Sequence, residues 1–347
     1  MSILNFFMEN FMDKKKSLVL VDAYSQIFRS FFAIRMLNNV RGEPVNAAFV
    51  FTKLLLQLEK NYASQYGAML FDCGKVAFRM ELNPQYKANR PPMPDPLKQQ
   101  IPLIREIAET FGWQLIQKEG FEADDLIGGL ALKYADMPVE IVSSDKDLSQ
   151  LIDDRISMLI PGNSGFVRRG CREVLEKFGV DPGDMVDYLA LLGDSSDNIP
   201  GVPGVGAKSA AEIIRTFGSA DKWLSDPSLI DPEHKLGKKL IPALEIVRRN
   251  RELIRLRTEL PEELAELSAP VRKEPDWDKI RWICQDNQFR SILKELPEKE
   301  NDAPPPAVAA EDDYPDDLFA YAAANKSIPA ECSKTDDSVT EIQGELF

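Results

Sequence analysis

The chain has 347 residues, 44% apolar and 28% charged, which allows a sizeable core and fits a soluble protein of one large or two smaller domains. No stretch approaches the ~18 apolar residues of a membrane-spanning helix. Cys73, Cys171, Cys284 and Cys332 lie too far apart for a zinc site or a disulfide framework, and read as thiols in a reducing cytoplasm. The net charge of −14 does not exclude a nucleic-acid partner: Glu298–Phe347 holds 13 acidic and 3 basic residues, leaving only −4 on the remainder.

Residues 1–16 place an apolar stretch before the basic one and offer no small-residue cleavage site, so they read as an N-terminal extension rather than a secretory signal. Three short apolar runs then share one design: LVLVD ends at Asp22, GAMLFD at Asp72 and VEIVSSD at Asp145. Each predicts a buried parallel strand, and WQLIQ at 113–117 predicts a fourth. Helical spacing around 45–62, 97–111 and 123–135 alternates with them, so 17–170 predicts an α/β domain with a mostly parallel central sheet. The crevice of such a sheet lies beyond the carboxyl ends of its strands. That edge would receive Asp22, Asp72, Glu122 and Asp145. Residues 171–297 predict helices, and 298–347, rich in proline, alanine and acid, predict a disordered tail.

The stretch GFEADDLI crowds Glu122, Asp124 and Asp125 where a helix should begin. Acids in a first turn have an ordinary explanation in the helix dipole and its unpaired N–H groups. Two further pairs weaken it. Asp145 and Asp147 sit in SSDKDLSQL, and Asp194 and Asp197 in GDSSDNIPG, three apart and so on one face of a helical turn. Taken singly, each acid is a cap or a surface residue. Together, the nine carboxylates (Asp22, Asp72, Glu122, Asp124, Asp125, Asp145, Asp147, Asp194 and Asp197) need cations to offset their desolvation and repulsion. Oxygen donors without Cys or His select Mg²⁺ or Mn²⁺. Two such ions about 3.5–4 Å apart suit phosphodiester hydrolysis. Removing the nine acids from the body leaves it near +5, which suits a phosphate-rich partner.

Between 74 and 100, Lys75, Arg79, Lys87, Arg90 and Lys98 alternate with Phe78 and Tyr86 directly after Asp72. Cations for the backbone and aromatic rings for bases suit a single strand; a solvated loop is the plainer alternative. In GVPGVGAKSAAEII, Gly201, Gly204 and Gly206 allow a tight turn between helices, with N–H groups near phosphates and Lys208 following. An ordinary helix-connecting turn is the alternative. GAKS lacks the GK[ST] of a phosphate-binding loop, and the sole histidine, His234, lies in a charged stretch unsuited to a Ser–His–Asp machine.

These segments resemble the 5′-nuclease family, which includes the 5′→3′ exonuclease domain of bacterial DNA polymerase I, phage 5′ nucleases and flap endonucleases. LVLVDAYSQIFRSFFA, FDCGKVAFRMELNPQYKANRPPMP, GFEADDLIG, SSDKDLSQL and LALLGDSSDNIPGVPGVGAKSA carry the likeness, in the family's order, over roughly 17–295. The resemblance implies a PIN-like sheet, a helical arch at about 74–98 that admits a single-stranded 5′ end, and a helix-hairpin-helix at about 184–217. It assigns Asp22, Asp72, Glu122 and Asp124, with Asp125 adjacent, to one metal, and Asp145, Asp147, Asp194 and Asp197 to a second. It sets Lys87 at the scissile phosphate with Tyr86 and Arg79 close by, and GVPGVG on the duplex backbone, with K⁺ in some relatives.

The implied activity is metal-dependent 5′→3′ exonuclease and 5′-flap endonuclease action on branched or 5′-ended DNA and RNA–DNA primer junctions. A monomer working in the cytoplasm at the nucleoid is expected. Ala23 stands where many relatives have glycine, and no polymerase segment follows. The terminal QGELF resembles a peptide that binds the bacterial sliding clamp, with Gln343, Leu346 and Phe347 as anchors. Competing readings are a toprim-type phosphotransfer domain, a PIN-like ribonuclease, and a catalytically inactive clamp-associated adaptor.

Overall fold

A computed structural model describes residues 17–74, 76–134, 136–162 and 165–298. Lys75, Cys332, the N-terminal extension and the clamp-like Gln343, Leu346 and Phe347 lie outside the described residues. The sheet has six strands: β1 (Leu18–Asp22), β2 (Tyr66–Leu70), β3 (Gln114–Ile116), β4 (Val139–Val142), β5 (Ile156–Gly162) and β6 (Gly165–Arg169). Their order is β3-β2-β1-β4-β5-β6. The first five run parallel, and β6 returns antiparallel along β5. Sequence reasoning anticipates β1–β4 and misses the last two. The edge strand β6 lacks a readable alternation, since Val167 is 62% exposed while Arg169 is buried.

β1 is central and wholly buried, and its side chains alternate between two cores. Leu18 and Leu20 join Ala68, Leu70 and Ile141 on the face covered by α5 (Ala123–Lys133). Val19 and Val21 join Met69, Val142 and Leu159 on the opposite face, against α1 (Ala23–Ala33), α2 (Asn46–Tyr62) and α4 (Ile101–Thr110). Each such fully buried Leu, Ile or Val contributes roughly 1.5–3 kcal/mol, so β1 has no alternative register that keeps its core contacts. Between β2 and β3 the chain also forms α3 (Ala77–Leu82).

Past β6 the chain is helical, as expected, with α6 (Met185–Leu192), α7 (Ala207–Phe217) and α8 (Leu244–Ile254) packed against the α5 face through Leu189, Ile213 and Val247. Buried Asn250 ties α8 to the turn after α6, donating to the Ala190 carbonyl at 3.0 Å and the Pro200 carbonyl at 2.7 Å. The expected helical turn carrying Asp194 and Asp197 is not formed. Gly193 leaves α6 at φ 79°, and Gly193–Asp194 pairs antiparallel with Ile199–Pro200.

The last helices return to the α/β unit. Arg272 N–H donates to the Gln65 carbonyl at 2.8 Å, and its guanidinium lies 4.1 Å from the Trp113 ring and 2.6 Å from Glu59. α9 (Trp277–Asp286) then sends Ile280, Ile283 and Cys284 into the second core. Gly112 permits this return. At φ 82° it accepts from Lys273 N–H at 3.0 Å, and a Cβ there would lie 1.9 Å from the Lys273 carbonyl oxygen. Gly112→Ala is therefore expected to lower stability by roughly 2–4 kcal/mol in chemical denaturation, from backbone strain plus overpacking. Gly42→Ala, at φ 79° with nothing within 4 Å of its Cβ, is expected to cost only about 1–2 kcal/mol.

Candidate active site

The strand order reverses between β1 and β4, and Asp22 and Asp145 emerge beside this switch point. Asp22 ends β1 and caps α1, accepting Ser25 N–H at 3.2 Å; its other oxygen accepts the Ser143 hydroxyl at 2.8 Å. Ser143 also accepts Asp145 N–H at 3.1 Å, so one hydroxyl sets both acids. Ser143 carries no acid signal of its own in the sequence, although its place two residues before Asp145 is that of a serine-turn acceptor. Asp72 reaches across from the end of β2 to accept Ala123 N–H at 2.8 Å, at the start of α5. Asp145 accepts Asp147 N–H at 2.9 Å, and Asp194 accepts Ser196 N–H at 2.8 Å and its hydroxyl at 2.6 Å.

These acids meet. Carboxylate oxygens of Asp147, Asp194 and Asp197 lie within 4.8 Å of one another. Burial, then Asp72 and Asp145, raise the Asp22 carboxyl to about 7. Asp124 is pushed well above the carboxylate range by burial and by Asp145, Asp22 and Asp72. Asp147 is raised likewise by burial and by Asp145, Asp194 and Asp197. Asp72 is open to solvent on one side, yet the protein packed around its carboxyl also raises it. Asp194 goes the other way: burial opposes its ionisation, but Lys146, 3.3 Å away, and Ser196 hold it below the ordinary range.

The segment 83–90 lies over this cluster. Lys87 donates to Glu122 at 2.7 Å and stands 3.9 Å from Asp197. Arg90 pairs with Asp197. The Tyr86 hydroxyl sits between Glu122 at 3.1 Å and Asp197 at 3.2 Å. Burial pushes the Lys87 ammonium down, but Asp197 and Glu122 outweigh it and raise the group. The backbone docks too: Lys87, at φ 55°, donates its N–H to the Asp197 carbonyl at 3.0 Å, and beside it the Asn89 side-chain amide donates to the Ser195 carbonyl at 2.7 Å. A non-glycine residue in the left-handed region is strained, and such strain clusters at working sites.

Two expectations do not match this geometry. The sequence sets Asp125 beside the metal ligands, but its side chain is 0% exposed and holds Arg79 through two bonds of 2.7 Å. Arg79, expected near DNA, is correspondingly sealed inside. Phe78, half-buried, carries the Arg257 guanidinium at 5.3 Å. In the glycine turn, Gly201 has a packing role: its Cβ would fall 2.1 Å from the Leu192 carbonyl oxygen. Gly204, Gly206 and Lys208 are exposed at the start of α7, with Lys239 bonded to the Gly204 carbonyl at 2.5 Å.

The donor set is carboxylate oxygen throughout. Asp147 Oδ1 is buried with no hydrogen-bond partner among the described residues. Both features fit hard divalent cations and the handling of phosphate esters.

Comparison with known proteins agrees. Residues 17–179 match the 5′–3′ exonuclease N-terminal, resolvase-like domain, and 180–277 match the 5′–3′ exonuclease C-terminal SAM fold. A 5′–3′ exonuclease of Aquifex aeolicus is 38% identical over 283 residues, covering 81% of this chain and 95% of that protein. The thermostable DNA polymerase I of Thermus thermophilus is 35% identical over 294 residues, 84% of this chain; the chain spans only 34% of that protein. Among solved structures, a mutant T5 5′-exonuclease superposes with a TM-score of 0.55 at 27% identity, covering 70% of this chain and 89% of that one. With the acid cluster at the switch point and both domains matched in order, the chain belongs to the 5′–3′ exonuclease family.

Proposed function

We propose that the protein is a Mg²⁺-dependent, structure-specific 5′ nuclease that cuts 5′ flaps and degrades 5′ ends, acting on DNA and on RNA–DNA primer junctions in replication and repair. The observation that carries this reading is the meeting of opposite charges: Lys87 and Arg90 engage Glu122 and Asp197 at the rim of the acid cluster. Asp22, Asp72, Glu122 and Asp124 would hold one cation, and Asp145, Asp147, Asp194 and Asp197 another. Such ions, when bound, would make a coordinated water more acidic and supply positive charge for the departing oxygen. Lys87 and Arg90 then exchange their carboxylate partners for phosphate oxygens, for which a guanidinium fork and an ammonium are well suited.

The exposed N–H groups at Gly206 and the start of α7, with Lys208 beside them, suit a duplex phosphate. A K⁺ ion at this turn would displace the Lys239 ammonium from the Gly204 carbonyl. The enzyme would work as a monomer in the cytoplasm at the nucleoid; among the described residues no helix is long and apolar enough to cross a membrane. Gln343, Leu346 and Phe347 support docking on a sliding clamp, one polar and two apolar anchors on an acidic tether.

Proton linkage gives the cluster a pH signature. The folded protein holds a proton on Asp22 up to about 7, against 3.8 for the free side chain. Within that window the native state binds more protons than the unfolded one, so stability falls as pH rises from about 4 to 7 when no cation is present.

Three outcomes are expected. A labelled 5′-flap duplex should be cut near the junction in Mg²⁺ and not in EDTA, with Asp145→Asn slower by roughly 100-fold or more; a variant as fast as the parent would sink the catalytic assignment. In EDTA, Asp22→Asn should match the parent's stability near pH 4, gain on it steadily as pH rises to 7, and exceed it at pH 8 by up to about 4 kcal/mol, read as a higher thermal midpoint. Deleting Gln343–Phe347 should abolish clamp binding in a surface-immobilised assay while leaving cutting of free flaps unchanged.

A further inference from the structure

Every hydrogen-bonding position of the Asp125 carboxylate is taken within the chain. Oδ2 accepts from Arg79 at 2.7 Å and from Glu122 N–H at 3.4 Å; Oδ1 accepts from Arg79 at 2.7 Å and from Arg257 N–H at 2.9 Å. Arg79 makes two further contacts: Nε donates to the Leu253 carbonyl at 3.1 Å, and one terminal nitrogen stands 3.2 Å from Glu122 Oε2. The pair thus joins three segments distant in sequence: α3 at the base of the basic segment, the start of α5, and the chain leaving α8. Outside it, the Arg257 guanidinium lies 5.3 Å from the Phe78 ring and 5.1 Å from the Phe121 ring, closing the junction with aromatic faces.

We infer that Arg79 and Asp125 are positioning residues of the nuclease site, and that Asp125 is an anchor and not a metal ligand. Asp125 fixes the main chain of Glu122, Arg79 flanks the Glu122 carboxylate at Oε2 beside the Tyr86 hydroxyl, and α3 is held so that Lys87 arrives on Oε1. The same pair therefore sets a carboxylate assigned to metal and the ammonium assigned to phosphate. The inference rests on the functional reading above for those two assignments. A bidentate Arg–carboxylate pair suits this task because its two parallel bonds fix direction as well as distance. A carboxylate with no free lone pair has nothing to offer a cation without breaking the junction.

The test compares the full-length parent, Asp125→Asn and Asp147→Asn, by Mn²⁺ titration calorimetry and steady-state flap cutting. Asp125→Asn should bind Mn²⁺ within about threefold of the parent, whereas Asp147→Asn should lose roughly tenfold or more. Its kcat should fall about tenfold or more with KM changed less than about twofold, because the duplex-binding surface is untouched. A loss of Mn²⁺ affinity equal to that of Asp147→Asn would make Asp125 a ligand and overturn the inference. Unchanged kcat in a folded Asp125→Asn would reduce the pair to a packing role and overturn it equally. Should Asp125→Asn fail to fold by circular dichroism, Arg79→Lys asks the same question, since it keeps the charge without the two parallel bonds. Parental kcat in folded Arg79→Lys would count against positioning. Flap cutting by the parent is the control: its absence would defeat the functional reading, while the Mn²⁺ titration would still separate ligand from anchor.

Discussion

Asp22, Asp124, Asp145 and Asp147 share one desolvated edge of the sheet, and burial and mutual repulsion push their carboxyls upward. Folding alone would not assemble such a cluster, because each ionised carboxylate raises the cost of ionising the next. What holds it is the scaffold beneath. β1 is buried from end to end, and its register with β2 and β4 is fixed by side chains in two separate cores. The hydrophobic effect thereby supplies the energy that keeps acids from separate strands together, and the repulsion is left for cations to relieve.

The basic segment answers the same constraint from above. In this structure Lys87 and Arg90 lie on Glu122 and Asp197, and burial of the Lys87 ammonium is outweighed by those carboxylates. An arrangement in which protein cations cover the acid cluster balances its charge within the chain. It also brings an ammonium and a guanidinium, groups suited to phosphate oxygens, to the rim of the acids. Nuclease chemistry asks for both signs of charge within a few ångströms, and the 83–90 segment brings the second sign to the sheet edge through the Lys87 main-chain bond to Asp197 and the Asn89 side-chain amide on the Ser195 carbonyl.

Much of this was legible in the sequence, for a physical reason. A parallel strand covered on both faces must be continuously apolar, so LVLV, GAML and VEIV announced themselves, and the acids that follow them had to leave at the carboxyl edge. Legibility failed where the determinant was not local. Asp194 and Asp197 share a face because Gly193 turns the chain into a two-residue bridge, whereas a three-residue spacing reads equally well as helix. β6 escaped because an edge strand needs only one paired side, and its buried Arg169 and exposed Val167 invert the usual pattern. The return of the chain to Gln65 and Gly112 depends on approaches between residues more than 150 positions apart, and no window of sequence contains both ends.

GFEADDLI brings these lessons to one place. Its three acids are alike in type and nearly adjacent, yet the structure gives them different work. Asp125, third in the helix, accepts the Glu122 N–H as a capping residue does, and a buried guanidinium cancels its charge. Asp124 has the opposite character, with neighbours that are mostly other carboxylates. Glu122 stands between the two, touched by Arg79, Tyr86 and Lys87. Composition cannot tell an anchor from a ligand, but lone-pair accounting can. A buried carboxylate whose acceptor positions are all met by N–H groups of its own chain has completed its role in folding. One that is buried among its own kind, like Asp147 with an oxygen unpartnered among the described residues, is complete only when something positive arrives.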